Sequence, residues 1–153
     1  MVEILRSNPS PRIEGGAHED DPDYHFSIKY SASFDPGEMG VSFREFARLR
    51  EEDGGTTFGD DFITASNPGG NNFTPSQLPG RPDNRPGAQG MTVVDREVRF
   101  DLPREVADTE GFPHGHEEIY GEIWLRSAMN LSSSAPEGSD SGLAKTNVGD
   151  FNP

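Results

Sequence analysis

The pattern at residues 24–35 constrains this chain more than any other feature. Apolar Tyr24, Phe26, Ile28, Tyr30, Ala32 and Phe34 alternate with His25, Ser27, Lys29, Ser31, Ser33 and Asp35. A period of two sends the first set to one side of a strand and the second to the other, so the segment reads as a half-buried strand. Asp35-Pro36-Gly37 closes it with turn chemistry. Alternation returns from Met91, with Thr92, Val94, Arg96, Val98, Phe100 and Leu102 facing one way and Val93, Asp95, Glu97, Arg99 and Asp101 the other, up to Pro103. Arg96 interrupts the apolar side, which calls for a rim position or a carboxylate partner rather than a catalytic role. A third strand is expected over residues 118–131. Ile119, Gly121, Ile123 and Leu125 lie on one face, while Tyr120, Glu122, Trp124 and Arg126 lie on the other. Bulk on both faces predicts a strand contacted on its second side as well.

Between these strands the signals change. Ser42 followed by Glu45 reads as a capping box, Phe43, Phe46, Ala47 and Leu49 form a narrow apolar stripe, and Gly54-Gly55 is a stop, so a helix is expected over about 43–53. A short strand is expected within 56–66 on Phe58, Phe62 and Ile63. Residues 67–90 hold five prolines and five glycines with no periodicity, which predicts an extended loop. The fold class that follows is α+β or mostly β: a small antiparallel sheet of three to five strands with one helix, over residues 24–131. Residues 1–23 and 132–153 read as N- and C-terminal arms, because Gly, Pro, Ser and Asp dominate them.

Composition limits the partners. Against 27 acidic residues the chain has 13 basic ones, a net charge of −14, and Lys29 and Lys145 are its two lysines. Nucleic acid is excluded as a partner, since its affinity comes from Lys and Arg displacing counterions, and an anionic membrane is disfavoured for the same reason. An acidic, Lys-poor composition fits either a high-salt proteome or an Arg-favouring GC-rich genome. With no cysteine there are no disulfides and no thiolate metal sites. Residues 1–12 lack the apolar core of a signal peptide, and no apolar run approaches the ~20 residues of a membrane span, so membrane insertion is not expected. The expected place is the cytoplasm or a particle assembled there.

Candidate chemistry is sparse, and no catalytic residues and no resident cofactor are expected. His114-Gly115-His116, with Glu122 as a third ligand, is the candidate divalent-cation site, because two histidines two apart on an extended segment face one side. The His-x-His pair resembles the cupin signature, but the upstream glycine spacing differs and no second histidine motif follows. Acidic stretches at 19–23 and at Asp60-Asp61 lack the spacing of an EF-hand. Tyr120 and Trp124 on one strand face form a possible sugar-stacking pair. Phe73, Leu78, Leu143, Val148 and Phe151 stand as isolated apolar anchors in otherwise coreless segments, fit for a neighbour's grooves.

Three functions follow. The first is a non-enzymatic structural subunit of a large assembly, such as a viral minor capsid, decoration or tail protein, whose arms bridge neighbouring protein subunits. The second is a small metal-dependent protein built on His114 and His116. The third is a carbohydrate-binding or adhesion module.

Overall fold

The computed structural model describes residues 1–52, 61–65, 70–107, 117–131 and 133–153. In chain order its strands are β1 (Glu3–Ile4), β2 (Arg12–Gly16), β3 (Asp23–Phe34), β4 (Phe43–Glu51), β5 (Asp61–Ala65), β6 (Asn71–Phe73), β7 (Gly80–Pro82), β8 (Thr92–Pro103), β9 (Glu117–Ser127), β10 (Ala144–Lys145) and β11 (Gly149–Phe151). One helical turn, α1 (Arg104–Ala107), follows β8. The strands form two antiparallel sheets. The first runs β1-β3-β8-β7, with β2 continuing β1 along the same strand, and the second runs β10-β9-β4-β5, with β11 and β6 pairing β9 and β4.

Each sheet turns one apolar face inward. Phe26, Ile28, Ala32 and Phe34 of β3 and Val94, Val98 and Phe100 of β8 meet Phe43, Ala47 and Leu49 of β4 and Ile119, Ile123 and Leu125 of β9 in one core. Phe34 and Phe43 meet across the sandwich edge to face, 5.1 Å between centroids. Gly121 sets the closest approach. A Cβ there would fall 2.2 Å from Ile28 Cδ1, so β9 can press against β3 only with glycine at this position.

The fold class is mostly β and antiparallel, as the alternation implied, but the expected single sheet is a two-sheet sandwich. The helix expected at 43–53 is strand β4. Its inward set is Phe43, Glu45, Ala47, Leu49 and Glu51, all buried, and the two acids in that set hide the period of two. The capping box lies seven residues earlier, where Asp35 Oδ1 accepts from Glu38 N and Glu38 Oε1 accepts from Asp35 N, holding the 3₁₀ turn Pro36–Glu38. Three of the expected strands, at β3, β8 and β9, are present, and residues 119–126 of β9 are buried on both faces, as its bulk on both sides implied.

The terminal segments expected as arms are strands of the same body. Val2, Ile4, Leu5 and Ile13 are buried at one end of the chain, and Ala144 and Phe151 at the other. Much of the expected 67–90 loop is also tied down: residues 67–69 lie outside the described residues, but β6, a 3₁₀ turn at Pro75–Gln77 and β7 follow. Ser76 N donates to Met39 O, and Ala88 and Met91 close a turn. The expected strand within 56–66 corresponds to β5, and Phe58 lies outside the described residues.

Candidate functional site

The chemically densest point of the interior is a charged cluster between the sheets. Glu45 of β4 sits in phase with Phe43 and Ala47 and so points into the core, its side chain 1 % exposed. Arg96 of β8 comes from the facing sheet and grips it through two bonds, Nε to Oε2 at 2.9 Å and Nη2 to Oε1 at 3.0 Å. The Tyr30 hydroxyl of β3 donates to the same carboxylate. Phe73 of β6 lies under the guanidinium, 4.4 Å from its carbon to the ring centroid. Burial, then the neighbouring carboxylate, pushes the Tyr30 phenol well above its ordinary pKa, so it stays a donor. The arrangement joins three strands across the sandwich with every partner satisfied, and it works as an inter-sheet tie rather than an acid–base pair.

On the outside, the first sheet carries an open trough of about 500 Å³ across residues 29–31 and 95–97, bounded by Pro9, Arg12 and Arg81. Its charges are largely paired. Arg81 Nη1 is 2.6 Å from Asp95 Oδ2, and Lys29 Nζ is 3.1 Å from Glu14 Oε2.

The second sheet's outer face is covered by its own chain. Trp124 stacks on Phe46 at 5.7 Å with 11° between planes, packs against Arg48, and donates from Nε1 to Ser134 O at 3.0 Å. Arg126 is buried and donates to the carbonyls of Asn130, Ala135, Glu137 and Gly138, which fastens those residues down over the sheet. Tyr120 is buried too, with Lys145 Nζ 5.6 Å from its ring centroid. The Tyr120 and Trp124 rings are therefore packed rather than presented to a sugar.

His114 and His116 of the expected cation site lie outside the described residues. Their third member, Glu122, is 4 % exposed and accepts from Arg48 Nε at 2.7 Å. Among the described residues no three His, Asp or Glu side chains gather as a cation site. Of the expected anchors, Phe73 and Phe151 fill this chain's own core, Leu78 packs against it, Leu143 is half-buried and Val148 is 44 % exposed. The residue that sequence reasoning missed was Glu45. A signal for it existed: an acid in phase with apolar Phe43, Ala47 and Leu49 on one strand, and Arg96 in phase with Val94 and Val98 on another, are each other's natural partner.

The fold defines an antiparallel β-sandwich protein. Among solved structures, this chain is similar to a bacterial adhesin from Mobiluncus mulieris, in two crystal forms. In one the TM-score is 0.60 at 8 % identity, and in the other it is 0.58 at 10 %, each covering 95 % of this chain and 57 % of the adhesin chain. The chain thus spans a little over half the length of that neighbour, and identity this low shows a shared fold. No family profile matches, and no curated protein matches. That adhesin carries intramolecular disulfide, isopeptide and ester cross-links. This chain has no cysteine, and its two lysines lie on the surface. Its sheets are tied instead by the Tyr30–Glu45–Arg96 cluster.

Proposed function

We propose that this chain is a non-enzymatic structural module of a cell-surface adhesion protein, arranged end to end with further protein modules. The observation that carries it is the sandwich itself: it shares the adhesin's fold over nearly its whole length, and its first and last strands reach opposite poles. β1 begins beside the Asp35 end of β3, where the Met1 amine is 2.6 Å from Asp35 Oδ2. β11 ends at the opposite end, where Phe151 packs on Tyr24 and Phe26. Those ends are about 36 Å apart, taking ~3.3 Å per residue along β3. Outer strands that lie at opposite poles of one sandwich suit modules set in a linear series.

The virion reading drew on extended arms, and those segments are strands of the sandwich. What remains of it is the coarser idea of a structural, non-enzymatic protein among like partners. The test is localisation joined to adhesion. Immunogold labelling of intact source cells is expected to place the protein outside the envelope, and beads coated with the module are expected to adhere to cells or matrix. Confinement to the cytoplasm would overturn the proposal.

A further inference from the structure

The first and last segments of the chain run side by side and in the same direction. β1 and β2 follow β3 antiparallel from Ser33 to His25, and β10 and β11 follow β9 antiparallel from Ile123 to Glu117. The Ser33 end of β3 and the Ile123 side of β9 both point toward the Asp35 pole, since Phe34 meets Phe43 and Phe43 pairs with Ser127. Each terminal segment therefore travels from the Asp35 pole to the Tyr24 pole, one on the edge of each sheet.

The two segments also touch each other. Arg6 Nη2 donates to Leu143 O at 2.9 Å, and Ile13 N donates to Asn147 Oδ1 at 3.1 Å. The Phe151 ring lies so close to Gly15 that a Cβ there would fall 2.8 Å from it. Thr146 locks the second segment to β9, with Thr146 N donating to Gly121 O and Gly121 N donating to Thr146 Oγ1. At the Tyr24 pole Arg104 Nη1 donates to Pro153 O at 3.1 Å, and Arg104 also holds the carbonyls of His18 and Asp21.

Antiparallel ladder bonds run perpendicular to the strands. Tension that draws β1 out past Asp35 and β11 out past Tyr24 slides each strand along its partner, so the bonds lie across the force and yield together. Force applied at the Asp35 pole alone opens the β1 and β2 bonds to β3 one after another and leaves β10 and β11 outside the loaded path. From this we infer that the sandwich is a tension-bearing unit, and that its clamp is the parallel pair of terminal segments, β1–β2 and β10–β11. The inference rests on the surface-module reading and adds what such a module must withstand.

Single-molecule pulling tests it, because forced unfolding reports the unfolding barrier. The chain has no cysteine, so introduced attachment points are unique. Met129, 93 % exposed, lies just beyond Ser127 at the Asp35 pole. Pulling between the two chain ends is expected to need several-fold more force than pulling between the N-terminus and Met129→Cys. Equal forces would overturn the clamp. Arg6→Ala combined with Asn147→Ala removes the two side-chain hydrogen bonds between the segments, both from exposed positions, and it is expected to lower the end-to-end force while the urea midpoint moves little. An unchanged end-to-end force in that variant would also overturn it. A weak axis in a protein that still labels and adheres at the cell surface removes the clamp alone, whereas a strong axis in a cytoplasmic protein removes the surface reading alone.

Discussion

Over residues 25–29 of β3 and 95–101 of β8 the first sheet's outer face is wet, whereas the second sheet's is covered; nearer the Asp35 pole the first sheet's outward Ser31, Ser33 and Val93 are buried as well. On the first, Lys29, Asp95, Glu97 and Arg99 of β3 and β8 stand in solvent and pair with one another or with neighbours such as Glu14 and Arg81. On the second, Tyr120, Glu122, Trp124 and Arg126 of β9 are all buried, under side chains of neighbouring β4 and β10 and under residues 133–138. The difference decides what each strand can tolerate. A wet face leaves its residues free to be any polar type, while a covered face makes the same strand positions depend on distant loops.

The strongest break of this comparison is at neither outer face but between the sheets. Glu45→Gln leaves the half-buried Arg96 guanidinium, 19 % exposed, without its counter-charge, and a loss toward the lower end of about 3–5 kcal/mol is expected in urea unfolding. The paired replacement Glu45→Met with Arg96→Leu is expected to recover most of that loss, since removing both charges removes the unpaired one. On the covered face, Arg126→Met is expected to cost about 1.5–3 kcal/mol, the range for hydrogen bonds from a charged donor, and to open residues 133–140 to protease. Limited proteolysis followed by mass spectrometry locates the cut. On the wet face, Lys29→Ser removes an exposed ion pair and is expected to change stability by no more than about 0.5 kcal/mol. A loss comparable to that of Arg126→Met would erase the contrast between the faces.

The smallest effect sharpens the wet face further. His25 lies with Nδ1 2.5 Å from Asp101 Oδ1 and Nε2 2.6 Å from Asp21 Oδ2, and these two carboxylates, Asp101 first, raise its pKa above the ordinary 6.5. A histidine with a raised folded-state pKa contributes stability that is complete below about pH 6.5 and is lost as pH rises through the folded value. NMR titration of the His25 ring is expected to place its midpoint above 6.5, and Asp101→Asn to lower it. A midpoint at or below 6.5 in the parent protein would show that the carboxylates do not hold the charged ring.

The same contrast explains what could be read in advance. β3 and β8 were legible because water over much of one side favours alternation, and the outward positions of β3 that are covered, Ser31 and Ser33, are still small and polar. β9 was legible as doubly contacted because both its faces are bulky. β4 was not, for two reasons: Glu45 and Glu51 occupy inward positions, and Phe46 occupies an outward one beneath covering chain. With acids inside and an aromatic outside, period two vanishes and a helical spacing takes its place. The arms were misread on the same principle. Short strands such as β1, β10 and β11 carry two or three residues each, too few to display a period, and their Gly-, Pro- and Ser-rich surroundings resemble unstructured chain.

By itself, then, the sequence determined the antiparallel, strand-rich class, the positions of three long strands and the exclusion of disulfides, and it narrowed Arg96 to a rim position or a carboxylate partner. These follow from local periodicity and composition, which act within a single segment. Only the tertiary structure decided that the carboxylate is Glu45, that β4 is a strand, and that the terminal segments lie parallel on adjacent sheet edges. Each of those depends on pairing between residues far apart in the chain, and a two- or three-residue strand gains its stability from the neighbour it meets rather than from its own sequence.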